Sequence, residues 1–243
     1  MLTSNGIRQR PPWRQARWAV PAAVLLVALI AAALVVLTGP GGSGPHNATA
    51  TSGSHSASGG GGTAQATGCT ASDSRQSIPT APPSDLVWKN VGALLVPTSD
   101  ASGPTRIDGP VWSCYAHTPM GAVMAAYAIF ATLTSPGWHT VAEREIAPGP
   151  GRQAFIAAGL SQPYQPLSPQ HAAQPAGFAV VTYTPAQATI ETLSDAGSGQ
   201  FQTDQRTVAW VGGDWKLVMT PDGTIGPDPQ VVSSANGFVL WGH

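Results

Sequence analysis

The feature that most constrains the fold of this 243-residue chain is a stretch without a charged side chain, Pro119 to Leu133, with the sequence PMGAVMAAYAIFATL. Thr118 is placed to cap a helix that begins at Pro119, and the triplet Ser135-Pro136-Gly137 ends it. A helix that is apolar on every side must be covered by other elements over most of its surface. The sequence therefore predicts a sheet that curls around this helix.

Two shorter helices and a set of strands are predicted after the apolar helix. A capping box over Thr140–Glu143 predicts the start of one helix, and Gly151–Gly159 predicts another. Stretches rich in β-branched residues then predict antiparallel strands over Gly177–Thr184, Ala188–Ser194 and Gln202–Val211. The order of elements, helices before strands, is typical of an α+β domain.

A hairpin is the clearest local signal in this half of the chain. The triplet Gly212-Gly213-Asp214 supplies turn residues that tolerate positive φ, and Trp215, Leu217 and Met219 follow on one alternating face. Upstream of the long helix, Leu86–Pro97 predicts a single edge strand that ends at its proline. Together these elements predict an α+β roll, in which a curved antiparallel sheet surrounds the long apolar helix.

The N-terminal third of the chain has a different character. Residues 18–37 carry no charge and would span about 30 Å as a helix, which predicts one membrane crossing. Four arginines before it predict that residues 1–17 are cytoplasmic. A cleaved signal peptide is the alternative, but the apolar run is long for one and no A-x-A pattern follows. Residues 38–68 contain no Asp, Glu, Lys or Arg and predict a disordered tether, which leaves 69–243 as an extracytoplasmic domain.

The distribution of charge argues against nucleic-acid binding. Charged residues make up 9% of the chain, against roughly 25% in ordinary globular proteins. After the four N-terminal arginines, seven basic side chains face twelve acidic ones, so the rest of the chain has a net charge of −5. A surface of this charge would repel a phosphate backbone, and we predict no direct contact with nucleic acid.

The chain has two cysteines, Cys69 and Cys114. Outside the cytoplasm two cysteines are expected to be bonded to each other, and closing a loop of this length would stabilise the fold by about 4 kcal/mol. A bonded Cys114 is not a nucleophile. The Cys114-x-x-His117 pair also supplies only two of the four ligands of a structural zinc site, so we predict neither a metal nor a cofactor.

Four side chains are candidates for acid–base chemistry: His117, His139, Glu143 and Asp204. None of them stands in a recognisable catalytic motif, and the sequence has no phosphate-binding glycine loop before a helix. We therefore predict that the protein is not an enzyme and assign no catalytic residue. His117 is expected to hydrogen-bond the turn before the helix cap. The aromatic residues expected to fill the domain, or alternatively to line a ligand pocket, are Tyr127, Phe130, Trp210 and Trp215.

Three resemblances add expectations. The order of elements over Leu86–Asp222, and most specifically VGGDWKLVM, resembles the nuclear transport factor 2-like fold, also called a cystatin-like cone. The layout of basic tail, membrane helix, linker and external domain resembles the inner-membrane scaffold subunits of conjugation and type IV secretion machines. The segments CYAHTPMGAVMAAYAIFATLTSPGW and GPGRQAF are similar to uncharacterised membrane-anchored proteins of integrative and conjugative elements of actinobacteria.

These resemblances imply a single-pass membrane protein that helps to assemble a DNA-transfer machine without catalysing a reaction. Its expected partners are the membrane, other membrane or exported subunits of the transfer complex, and further copies of itself. Two alternatives stay open. The same fold hosts hydrolases and isomerases that use a cavity in the cone, and the tether together with eight tryptophans also fits a ligand-binding or cell-wall-binding module.

Overall fold

The computed structural model describes residues 68–169, 172–197 and 199–242. The predicted cytoplasmic tail, the predicted membrane helix over 18–37 and the predicted tether up to residue 67 lie outside these ranges. Within the described ranges, no helix is both long enough and apolar enough to cross a membrane.

The long apolar helix forms as predicted. This helix, α1, runs over Pro119–Leu133, and thirteen of its fifteen residues are buried. The Thr118 side chain accepts a hydrogen bond from Gly121 N at 3.0 Å, which satisfies one of the free amides of the first turn. The charge-free sequence and the observed burial agree because no position on the helix carries a group that needs water.

The second helix begins earlier than its sequence signal indicates. Helix α2 runs over Trp138–Glu145 with Gly137 at the capping position and no side-chain cap, so the predicted capping box at Thr140–Glu143 is wrong. The Trp138 ring packs edge-on against Phe155 with 6.0 Å between ring centroids. The packing of this partly buried indole against α3 favours a start of α2 at Trp138, and such long-range packing overrides a cap motif.

The third helix, α3, runs over Pro150–Leu160 and confirms the prediction of a helix in this segment. Pro150 occupies the first turn, where its missing N–H has no intrahelical partner to lose. Most of α3 remains partly exposed, and Gly151 is its one buried residue. The three helices described here all precede the main sheet in the chain.

The strands form one large sheet and two small hairpins, and every strand pair is antiparallel. The main sheet has the order β10-β5-β6-β7-β8, and β9 pairs with β7 beside β8. The described part of the chain is therefore an α+β domain, as predicted. The strands are β1 (Val87–Val91), β2 (Leu94–Thr98), β3 (Arg106–Asp108), β4 (Val111–Ser113), β5 (Gln174–Thr184), β6 (Gln187–Gly197), β7 (Gln200–Val211), β8 (Asp214–Val218), β9 (Gln230–Val232) and β10 (Val239–Leu240).

The predicted edge strand over Leu86–Pro97 is instead a hairpin. Strands β1 and β2 pair with each other, and Pro97 lies inside β2 opposite Trp88. Gly92 has a φ of +57°, which lets the chain turn sharply at a point where the sequence was expected to remain extended. Pro97 is tolerated because a two-stranded ladder leaves half of each strand's N–H groups without a strand partner.

The hairpin between β7 and β8 forms as predicted. Gly212 and Gly213 have φ values of 64° and 83°, the conformation that a two-residue hairpin turn requires. Asp214 is not a turn residue, however, because it pairs with Val211 as the first residue of β8. Trp215 and Leu217 are fully buried on the face that the alternation predicts.

The core of the domain lies between α1 and the main sheet. One fully buried apolar residue from each of four neighbouring strands belongs to it: Phe178, Ile190, Val208 and Leu217. Helix α1 contacts β5, β6, β7 and β8 on one side and β2, β4 and α2 on others. The N-terminal end of α1 therefore lies where β4, β8 and the chain entering from Cys69 meet.

Candidate functional site

The disulfide ties the N-terminal end of the described domain to the end of β4. Cys69 and Cys114 are bonded with their Cα atoms 5.1 Å apart, as predicted from the sequence. Cys114 lies directly after β4 and has a φ of +66°, a conformation that non-glycine residues rarely adopt. The bond consumes both thiols, so neither serves as a nucleophile in this state.

The segment that follows, residues 69–83, is here called the strap. The Asp73 carboxylate accepts a hydrogen bond from His117 N at 2.7 Å, and Gln76 Nε2 donates to His117 O at 2.7 Å. Tyr183 OH in turn donates to Gln76 Oε1 at 3.0 Å, which extends the network to β5. The strap is therefore fastened to the chain just before α1 by one covalent bond and several polar contacts.

The His117 ring is part of the same fastening. It stacks on the Trp210 indole with 3.9 Å between centroids and 10° between planes, and it meets the edge of Trp215 at 5.6 Å. Its Nε2 lies within hydrogen-bonding distance of Pro185 O, in the turn between β5 and β6. The expectation that the ring bonds its own turn is wrong, since the ring reaches the sheet and the backbone of His117 is held by the strap.

The other three acid–base candidates have different neighbours. His139 Nδ1 and Glu143 Oε2 lie 3.9 Å apart on α2, with 42% and 57% of their side chains exposed. Asp204 lies on β7, where its carboxylate is 3.7 Å from Arg206 Nη2. Of the four candidates, the structure brings together only His139 and Glu143.

A buried carboxylate, Asp214, organises the start of α1 and was not identified from the sequence. Its two oxygens accept hydrogen bonds from the N–H groups of Cys114, Tyr115 and Trp215 at 2.7, 3.0 and 2.9 Å. Burial raises the pKa of Asp214, while these donors oppose the rise. The carboxylate joins β8 to the strained backbone at Cys114.

A second buried carboxylate, Glu145, ends α2 and pairs with Lys216 of β8. Lys216 Nζ lies 2.9 Å from Glu145 Oε2, with 17% and 3% of the two side chains exposed. Burial raises the pKa of Glu145 to about 7, and the nearby lysine opposes that rise. Ala147 N also donates to Leu217 O at 2.8 Å, so the chain after α2 is attached to β8 by two kinds of contact.

The interior beneath α1 holds a buried cation, Arg206. Its guanidinium lies 3.7 Å from the centroid of the Phe130 ring, and Nη1 donates to Ala126 O at 3.3 Å. Tyr127 OH donates a short hydrogen bond to Gly177 O on β5. Burial lowers the pKa of Arg206. Tyr127 and Phe130 therefore contact a protein side chain or backbone group, as expected of residues that fill the domain.

An open groove of about 300 Å³ lies between the strap and the first turn of α1. The strap forms most of its wall, and Ala101, Ser102, Thr118 and Met120 complete it. This groove is the candidate functional site, because it is the place where polar groups of the strap, the turn after β2 and the helix start converge. Over the described residues, no three His, Cys, Asp or Glu side chains are grouped in a way that would hold a metal ion.

Comparison with known protein families assigns the chain to one of them. A family profile described as "Domain of unknown function (DUF8175)" matches residues 47–240. The chain belongs to the DUF8175 family. The match begins within the segment predicted as a tether and continues to the last strand of the sheet. No curated protein and no solved structure matches the chain.

The polar residues that shape this DUF8175 domain were missed for a physical reason. Asp214 follows two glycines and was interpreted as a turn residue, because nothing in the adjacent sequence shows that the N–H groups of Cys114 and Tyr115, about 100 residues earlier, lie beside it. Glu145 and Lys216 are separated by 71 residues, so no local pattern connects them. The groove likewise depends on residues that are adjacent only after folding.

Proposed function

We propose that this DUF8175 protein is a non-enzymatic, membrane-anchored scaffold that works outside the cytoplasm as an assembly component of a conjugative DNA-transfer machine. In this proposal residues 18–37 cross the membrane, residues 38–68 form the tether, and the α+β domain is a cone-like roll of the kind that the sequence resembles. Its partners are other membrane or exported transfer subunits and further copies of the chain. The twenty uncharged residues that follow four arginines support the anchor.

The observation that carries the proposal is the covalently fastened strap. Cys69, the first residue after the predicted tether, is bonded to Cys114 at the end of β4. Disulfides persist in oxidising compartments and are rare in the cytoplasm, which supports an external domain. A covalent bond at the point where a tether enters a domain also transfers any pull on the tether to the end of β4 and the start of α1, and not to the strap contacts, which suits a part of an assembly.

The contacts of His117 also favour assembly over catalysis. A general base must reach a substrate proton, whereas the His117 ring is stacked on Trp210 and its Nε2 is within hydrogen-bonding distance of a backbone carbonyl. Its backbone N–H and carbonyl are engaged by the strap. Each of these contacts helps to attach the strap to the domain.

The proposal is tested in the host with the full-length chain. We expect deletion of residues 70–243, with the predicted anchor retained, to abolish conjugative transfer. The intact protein should be recovered with transfer subunits in a detergent-stable membrane complex. The matched control is His139→Ala with Glu143→Ala, which changes two exposed side chains and should leave transfer unchanged. Transfer that survives the deletion, or an intact protein that migrates without any transfer subunit, would refute the proposal.

A second candidate function is a ligand-binding or cell-wall-binding module, and the groove beside α1 favours it. A volume of about 300 Å³ lies at the lower end of the range of small-molecule sites. Incubating the full-length protein with purified cell-wall fragments and measuring co-sedimentation tests this function. Retention of wild-type protein, and its loss when a soluble wall peptide is added in excess, would support it.

A further inference from the structure

A proline repeat lies between α3 and β5, where the chain has the sequence PYQPLSP. Pro163, Pro166 and Pro169 follow one another at intervals of three residues, and residues 163–168 belong to no helix or strand. Each proline fixes its own φ near −65° and restricts the residue before it to an extended conformation. Because a polyproline II helix has three residues per turn, this spacing places the three rings along one side of the segment.

The residues between the prolines show which side of the segment faces the domain. Tyr164 OH donates a hydrogen bond to Thr134 O at 2.9 Å, and Leu167 packs against the hydrophobic core. Tyr164 and Leu167 are also three residues apart, so they share one side of the segment and attach that side to the domain. The three prolines, by contrast, are all exposed.

An exposed leucine extends this apolar surface towards α3. Leu160, the last residue of α3, precedes Pro163 by three residues and is 66% exposed. No Asp, Glu, Lys or Arg occurs in the sequence between Arg152 and Glu191. Leu160 and the three prolines are here called the proline ridge. Exposed apolar residues that are grouped in this way, without charges among them, are typical of an interaction surface.

A second pair of prolines with the same spacing lies in the strap and provides a contrast. Pro79 and Pro82 are partly buried and line the groove beside α1, and Pro83 directly after them is buried. In the strap the domain therefore covers much of the proline surface. In the proline ridge the residues between the prolines contact the domain, and the rings remain available to another molecule.

The backbone of the proline ridge offers acceptors as well as rings. No described donor hydrogen-bonds to the carbonyl of Pro163 or Pro166. Proteins that bind polyproline II segments do so in grooves lined by aromatic side chains, and tryptophan and tyrosine in such a groove can donate to backbone carbonyls. At about 3.1 Å per residue, successive prolines of the ridge lie about 9 Å apart, which sets the spacing of the aromatic pockets that would receive them.

We propose that the proline ridge is the docking surface for a partner protein that carries an uncharged, aromatic-lined groove for polyproline II segments. Pro163 and Pro166 occupy the aromatic pockets, while Leu160 and Pro169 extend the contact at its two ends. The contacts of Tyr164 and Leu167 hold the segment extended before binding, so little conformational entropy is lost on docking. This docking surface does not depend on the assembly function, and either proposal can fail without the other.

Crosslinking in the host with the full-length chain tests the docking surface. A photoreactive benzoylphenylalanine replaces Gln165, which is exposed between two prolines of the ridge. In the matched control it replaces Thr80, which is exposed between two prolines of the strap. We expect the probe at the ridge to give an adduct with one partner protein, identified by mass spectrometry, that the probe in the strap does not give. The absence of an adduct overturns the proposal, as does an adduct with lipid, with cell-wall material or with a second copy of this chain.

The identified partner is then purified and titrated with the full-length chain in mild detergent. Pro163→Ala with Pro166→Ala should weaken binding at least about tenfold, because two ring contacts with aromatic pockets are lost. The matched control, Pro227→Ala with Pro229→Ala, removes two exposed prolines without the three-residue spacing and should leave the affinity unchanged.

Melting temperatures separate loss of docking from loss of folding. Both double variants should melt within about 5 °C of the wild type, since exposed prolines act mainly on the unfolded chain. Affinity is measured well below each melting temperature, so a change in stability does not register as lost binding. Normal binding by the ridge variant, or an equal loss of binding in the control variant, overturns the proposal.

Discussion

The domain buries two carboxylates beside β8, and it satisfies them in different ways. Asp214 accepts three backbone N–H groups, whose positions are fixed by the strand and by the chain after β4. Glu145 is satisfied by one lysine side chain, and burial raises its pKa to about 7. Fixed backbone dipoles keep their orientation at any pH, whereas an ion pair requires both partners to be charged. The first arrangement therefore serves as a joint held by fixed donors, whereas the second depends on the charge of a side-chain partner.

The largest effect is expected from Asp214→Ala. The substitution leaves three buried N–H groups without an acceptor and should destabilise the domain by about 5 kcal/mol, a large part of the stability of a typical domain. Urea unfolding of the purified protein measures this change. Asp228→Ala removes an exposed carboxylate that has no side-chain partner among the described residues, and it should shift stability by less than about 0.5 kcal/mol. Similar midpoints for the two variants would show that Asp214 is not a joint.

Removal of the disulfide should have the next largest effect. Cys69→Ala with Cys114→Ala opens a loop with a sequence separation of 45 residues, and the chain-entropy model gives a loss of about 4 kcal/mol. Because Asp214 also holds Cys114, the disulfide and the carboxylate act on the same backbone. Combining both changes in a double-mutant cycle should give a non-additive loss of stability. Strict additivity would mean that the two features stabilise the fold independently.

The pH response of Glu145 is expected to be somewhat smaller. The pKa of Glu145 rises from 4.5 to about 7 on folding, so the folded state binds the proton more tightly than the unfolded state. The stability that this proton contributes is complete below about pH 4.5 and declines as pH rises to about 7, by up to about 3 kcal/mol. In Glu145→Gln this contribution is absent. The melting temperature of wild type minus that of Glu145→Gln should therefore fall from pH 4.5 to pH 7, and a value that stays constant or rises over this range would contradict the assignment.

The smallest effect is expected from His117→Ala. The change removes the stack on Trp210 and the contact with Pro185 O, which together should lower stability by about 2 kcal/mol. Under the proposed assembly function, in which His117 only fastens the strap, conjugative transfer at moderate temperature should remain close to normal. Loss of transfer in a variant that is shown to be folded would return His117 to the list of catalytic candidates.

The features that the sequence predicted well are local. Thr118, Pro119 and the fifteen uncharged residues of α1 lie within one continuous segment, so cap, start and burial can all be inferred from neighbouring positions. The β7–β8 hairpin was predictable for the same reason, since Gly212 and Gly213 adopt the turn by themselves. The disulfide required one further step, because the predicted compartment and the presence of only two cysteines defined the pair.

Tertiary structure decided the features that depend on distant residues. The start of α2 depends on the packing of Trp138 against α3. The burial and hydrogen bonding of Asp214 and Glu145 depend on backbone and side-chain groups that lie far away in the chain. The groove beside α1 forms where the disulfide and the contacts of Asp73 and Gln76 hold the strap next to the helix start. The sequence by itself determined the long apolar helix and the β7–β8 hairpin, because these depend on the properties of adjacent residues. Only folding decided which polar groups become buried, since the free energy of burying a charge depends on the partners that the tertiary structure places beside it.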